Sequence, residues 1–117
     1  GKGNTQTIFA LRTYTPENYP VFGWCQAKNK TAPEGIFWYI PAKDELLKLR
    51  GTNGVVKDLV GKSLVEANAT PFSKKPFLQS STEKQWNQAW CVGIHNGEVN
   101  EINKWNVYTS VRAVSAF

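Results

Sequence analysis

Hydrophobic spacing changes period once along this chain, near residue 77, and the change divides a helical front from a strand-forming back. Thr5 to Leu11 predicts a short helix capped by Asn4 or Thr5, whose short polar side chains can accept the first free amides. Pro16 and Pro20 interrupt, and Tyr19 to Ala27 predicts a second short piece, helical or extended. Gly35 to Ile40 is an apolar, aromatic run ended by Pro41, which suits a first helical turn because its missing amide would be unpaired there. Lys43 to Arg50 then sets Leu46, Leu47 and Leu49 on a helical stripe, with Gly51 as its stop. Val55 to Ala67 repeats the pattern with Val56, Leu59, Val60 and Leu64 on one side, and Gly61 predicts a break or bend.

From Phe77 onward the period is two, and Trp90, Val92 and Ile94 alternate with Cys91, Gly93 and His95. Asn96-Gly97 follows and predicts a two-residue type I′ turn, since both residues tolerate positive φ. That turn would pair Ile94 with Val99 and His95 with Glu98. A last strand is expected from about Tyr108 to Phe117. The fold class is therefore α+β, with amino-terminal helices packed on a carboxy-terminal antiparallel sheet.

Length makes this one domain, residues 1–117, large enough to bury roughly two-thirds of the surface its unfolded chain exposes. With 41% hydrophobic and 20% charged residues, the chain is neither disordered nor a membrane span. No stretch approaches the run of about 20 apolar residues that crosses a bilayer. The net charge is +5, but its lysines and arginines are dispersed, with only Lys74 and Lys75 adjacent. Phosphate binders cluster such charges, and Glu98 and Glu101 stand near the richest aromatic region, so nucleic acid is set aside as the main partner.

Cys25 and Cys91 are too few for a disulfide framework. One bridge would close a long loop and stabilise by about 4 kcal/mol on the chain-entropy model, while two buried free thiols would serve equally well as small apolar groups. Asn29-Lys30-Thr31 and Asn68-Ala69-Thr70 match a glycosylation pattern. No positively charged start precedes an apolar run, so no signal peptide is expected within this sequence.

Catalytic constellations are scarce. His95 is the one histidine, which rules out multi-histidine and cysteine-histidine zinc sets; no metal, cofactor or catalytic residue is expected. Asp44-Glu45 are the only adjacent carboxylates, and at a helix start they favour the macrodipole. The remaining signal is aromatic. Trp86, Trp90, Trp105 and Tyr108 lie among Asn, Gln, Ser and Thr, a mixture suited to sugars: rings stack on C–H faces and amides bind hydroxyls. Trp38 and Trp90 are assigned to the core, where large aromatics dominate small domains. Trp86, Asn87, Asn103, Trp105 and Asn106 are the candidate ligand contacts.

Several strings carry a family likeness. Ser80-Ser81-Thr82-Glu83, Ala89-Trp90-Cys91-Val92, Asn96-Gly97-Glu98-Val99 and Val111-Arg112-Ala113-Val114 occur in an order that resembles the Fibrobacter major paralogous domain and its sister family of bacterial surface proteins. Phe37-Trp38-Tyr39-Ile40-Pro41-Ala42 with Glu45-Leu46, and Gly3-Asn4-Thr5 with Trp24-Cys25, extend the resemblance over nearly the whole chain. Departures are Gln79 where that family has Trp, Ser115 where it has a second Arg, Cys91 for an aromatic and Ala42 for a helix-capping Ser. The family pattern also has a strand-bearing segment ahead of Gly-x-Asn-Thr, so the resemblance implies an excised part of a longer protein.

The resemblance implies a C-type-lectin-like fold in a secreted, lipoprotein or adhesin-like bacterial surface protein. Neither the calcium-binding motifs of true C-type lectins nor the paired metal-binding cysteines of the similarly folded formylglycine-generating enzyme have a match here, so the implied module is metal-free and non-catalytic. Ser80, Ser81 and Thr82 are expected to satisfy loop backbone, and Arg112 to pair with Glu83 or Glu45. Together with Trp38, Pro41 and Trp90 these form the expected structural set. The expected function is recognition of a glycan or protein on a host or bacterial surface. The alternative is an assembly domain of a pilus or adhesin-like protein, joined through an edge strand. An enzyme on this scaffold would need carboxylates converging in a pocket.

Overall fold

Four helices and two antiparallel sheets make up the described residues, 1–69, 72, 77–106 and 110–115 of a computed structural model. In chain order they are α1 (Lys2–Phe9), α2 (Pro20–Lys30), β1 (Trp38–Tyr39), α3 (Lys43–Arg50), α4 (Val55–Glu66), β2 (Phe77–Gln85), β3 (Gln88–Gly93), β4 (Val99–Asn103) and β5 (Val114–Ser115). A single 3-10 turn, Thr52–Gly54, joins α3 to α4.

Helix α1 starts three residues before the expected Thr5, and neither Asn4 nor Thr5 caps it. Thr5 is buried; its hydroxyl donates to the Gly1 carbonyl at 3.0 Å and accepts the Ile40 amide at 3.0 Å. A side chain expected to open the helix instead ties it to the backbone ahead of Pro41. Helix α2 opens on Pro20 and closes with Lys28 and Lys30 in its last turn, where cations suit the dipole. Helix α3 has the expected bounds, but Pro41 lies outside its first turn, one residue before the N-cap Ala42.

Helix α4 continues through Gly61, so the expected break is absent. It ends in a Schellman motif with Asn68 at φ 56° in the left-handed position. There the Asn68 amide donates to Val65 O and the Ala69 amide to Leu64 O. Of its expected stripe, Val56 and Leu59 are exposed, Leu59 by 63%, and Val60 and Leu64 are half-buried; Val55 and Val65, outside the stripe, are exposed too.

Two small cores result. Val21, Phe22 and Cys25 of α2 meet Ile40 and Ala113 in the first. Leu46 of α3 meets Leu78, Val92 and Ile94 in the second. Strands β2, β3 and β4 pair in that order beneath α3, while β1 pairs with β5, Trp38 opposite Ser115 and Tyr39 opposite Val114. The expected strand from Tyr108 to Phe117 is therefore corrected. Its described part is the short β5, in the other sheet, plus a parallel bridge from Ser110 to Leu78. Tyr108 and Phe117 lie outside the described residues.

The hairpin register is also corrected. Val99 stands opposite Val92, not Ile94, and the Gly97 amide donates to the Gly93 carbonyl at 2.7 Å. Gly97 alone of the Asn-Gly pair has positive φ, at 77°, so the turn is longer than type I′. A slip of two residues preserves the faces, which is why Val92, Ile94 and Val99 still share one core. Both thiols are free and buried; Cys25 donates to Trp38 O and Cys91 to Asn100 O, each at 3.2 Å.

Candidate recognition surface

Two turns meet at one end of the three-stranded sheet. The β2–β3 turn carries Trp86-Asn87, and the chain leaving β4 carries Asn103 to Asn106. In the second turn, Asn103 Oδ1 accepts the Trp105 amide at 2.8 Å and the Asn103 carbonyl accepts the Asn106 amide at 3.0 Å. Such an Asx turn fixes the backbone locally.

Lys104 locks the turns together. Its amide donates to Asn87 O at 3.0 Å, and its ammonium donates to Trp86 O at 3.0 Å and Glu83 Oε1 at 2.7 Å. The lysine is buried, which the Glu83 carboxylate and the Trp86 carbonyl on its ammonium make tolerable. Sequence reasoning missed it. The available signal was Glu83 beside an aromatic turn, but its partner was sought in Arg112.

On this frame Trp86 is 73% exposed and Trp105 44% exposed, with ring centroids 5.9 Å apart at 66°, edge to face. The five predicted contact residues thus fall in two adjoining turns, though not equally. Asn103 is exposed with its oxygen turned to the Trp105 amide, Asn106 is half-buried, and Asn87 is half-buried with its Oδ1 enclosed and unpartnered.

The expected structural residues hold the neighbouring backbone. Ser80 Oγ donates to Trp90 O at 2.7 Å and accepts the Thr82 amide. Thr82 Oγ1 accepts the Lys43 amide at 2.9 Å, whereas the Ser81 hydroxyl accepts from the Asn4 side chain at 3.5 Å and only the Ser81 amide reaches backbone, at Pro41 O. Thr82 thereby serves the start of α3, where Ala42 has no side-chain oxygen to offer.

Three assignments change. Arg112 is paired with neither Glu83 nor Glu45 as expected: Glu83 serves Lys104, Glu45 receives the Gly1 ammonium at 2.9 Å, and the Arg112 guanidinium lies 5.1 Å over the Phe72 ring. Burial lowers the Arg112 pKa. Trp90 is half-buried outside both cores, with Lys43 and Lys84 ammoniums 5.3 and 5.4 Å from its ring. Trp38 flanks the first core rather than filling it, under Lys28 at 4.4 Å. Asn29 of the first glycosylation pattern is engaged at both ends, accepting from Trp38 N at 2.7 Å and donating to Trp38 O at 2.8 Å. Thr70 of the second pattern lies outside the described residues.

Comparison of the chain with protein-family models, curated proteins and solved structures found no match in any of the three. Among the described residues there is no group of three or more His, Cys, Asp or Glu that could hold a metal ion, and no helix is long and apolar enough to cross a membrane.

Proposed function

We propose that the chain is a non-catalytic, C-type-lectin-like recognition module of a bacterial surface or secreted protein, binding a glycan through Trp86 and Trp105. One observation carries the reading: two exposed indoles held in contact by a buried lysine. Exposed tryptophan removes apolar area from no core, so a fixed exposed pair is best accounted for by a ligand. The neighbouring Asn103 and Asn106 supply amides of the kind that bind sugar hydroxyls. Likeness of motif order to the Fibrobacter major paralogous domain adds support on location and fold. A glycan array tests it: hits that Trp86→Ala and Trp105→Ala each abolish are expected, and an array without hits refutes the glycan version.

The assembly reading rests on a different feature. Strand β4 is an edge of its sheet, whereas the Gln79 amide of β2 is already taken by Ser110 O at 3.0 Å. An open edge can recruit a strand from another chain. Light scattering that finds only monomer at high protein concentration counts against self-association.

A further inference from the structure

The sheet is longer than the helix that covers it. Helix α3 shields the Leu78–Val92 end, and its first residue, Lys43, stands beside the remainder. Directly paired residues and residues two apart along a strand share a face. Trp90 lies opposite Glu101 and Gln88 opposite Asn103, so all four lie on the face of Val92, past the core contacts of Leu46, and α3 reaches Trp90 through Lys43. Lys84 belongs there too, with its ammonium 2.9 Å from Glu101 and 5.4 Å from the Trp90 ring. Gln85 donates to the Gln88 side chain at 2.7 Å, continuing the row toward the turn that carries Trp86.

This face is an amide and charge surface with aromatic residues at both ends. From Gln88 to Trp90 is about 7 Å along the strand at the usual rise, so the row from the Trp86 turn to Lys43 exceeds a single sugar ring. Its far end is positive. Lys84 is balanced by Glu101, but no ion pair among the described residues uses Lys43. Two ammoniums over one indole therefore leave an unbalanced charge beside a half-buried ring.

We infer that the Trp86–Trp105 pair is one end of a longer binding face, and that Lys43 and Lys84 over Trp90 take a carboxylate or sulfate carried by the same oligosaccharide. The inference rests on the glycan reading above and narrows it to acidic, multi-residue glycans. Nucleic acid could also offer anions and stacking rings, but Glu101 in the middle of the face opposes a continuous phosphate chain.

Calorimetry tests the inference with a short oligogalacturonate, a sulfated galactan oligomer, and their carboxyl-reduced and desulfated forms. At least one acidic oligomer should bind about tenfold more tightly than its neutral form at low ionic strength, an advantage that added salt erodes. The double change Lys43→Gln and Lys84→Gln should remove the preference and leave neutral binding intact. Lys84→Gln alone, at an exposed position, should remove part of it without disturbing the fold. Neutral binding with no acidic preference, or no binding of any of these oligomers, overturns the inference and leaves the glycan reading standing; an array without hits removes both. Tighter binding of single-stranded oligothymidylate than of either acidic oligomer also overturns it.

Discussion

The Lys104 ammonium lies 2.7 Å from Glu83, and of the two side chains it is the lysine that is enclosed, at 7% exposure against 58%. Their removal should therefore be unequal. Lys104→Met takes the donor from the part-buried Trp86 carbonyl but removes the enclosed charge with it, and a stability loss of about 1 kcal/mol is expected. Glu83→Gln leaves the enclosed ammonium without its counter-charge and should cost more, about 3 kcal/mol. Urea unfolding of both variants measures the difference, and equal losses would contradict this account of the lock.

The start of α3 is served from a distance, by Thr82 for the Lys43 amide and by Glu45 for the Ala42 amide at 3.1 Å. Ala42 has the extended backbone of an N-cap, φ −69° and ψ 163°, without a capping side chain. Ala42→Ser supplies the missing half of a capping box and should raise stability by about 0.5–1 kcal/mol. Thr82→Val removes a different amide's acceptor and should lower it by about 1 kcal/mol. The double variant should equal the sum within a few tenths of a kcal/mol, as read by thermal melting.

The sequence pattern left two states open for Cys25 and Cys91, and the structure describes both as buried free thiols. Burial pushes the Cys25 thiol up to about 11, with Lys28 opposing weakly, and burial likewise raises Cys91. Native protein at pH 8 should thus resist iodoacetamide at both positions, and both should react fully in denaturant. A reducing agent should leave the melting temperature unchanged. A thiol titration of denatured, unreduced protein that finds none would establish a bridge instead.

What was legible in the sequence was local. The α3 stripe ended by Gly51, and the period-two run through Val92, each follow from spacing that a single element imposes. The turn at Trp86-Asn87 was not legible, since the period-two pattern from Phe77 showed no break there; Trp86 and Trp105 stood out only as aromatics among amides. Long-range choices were not legible. Thr5 became an internal anchor because Ile40, 35 residues away, needed an acceptor. Arg112 lost its expected acids to Lys104 and Gly1, and nothing in local spacing ranks one cation above another. The carboxy-terminal strand chose β1, since pairing depends on which edges the tertiary fold leaves open.

Glu45 carries the clearest acid dependence. Burial acts to raise its pKa, but the Gly1 ammonium, the Ala42 amide and the Tyr39 hydroxyl together outweigh burial and hold it below its ordinary value of 4.5. A depressed folded-state pKa means the stabilisation is complete above 4.5 and fades as pH falls through the lowered value. Glu45→Gln should therefore be less stable than the parent at neutral pH and lose less on acidification. Melting temperatures from pH 7 down to 3 should show the two curves converging; parallel curves would assign the acid sensitivity to other carboxylates.

Gln79 is wholly buried in β2, opposite Cys91, and neither its Nε2 nor its Oε1 meets a hydrogen-bond partner in the protein. Its backbone is well held, the amide donating to Ser110 O, so the strand's pairing does not depend on the side chain. An enclosed amide without partners costs about 1–3 kcal/mol relative to an apolar group of the same shape. Methionine matches its length and flexibility and fills irregular space well. Gln79→Met should accordingly stabilise the fold by about 1 kcal/mol or more, visible as a higher urea midpoint with an unchanged slope. Gln79→Ala should do the opposite, because the cavity it leaves outweighs the polar atoms it removes. If methionine destabilises the protein while alanine is neutral, the amide is satisfied by bound water and the site is a polar cavity within the sheet.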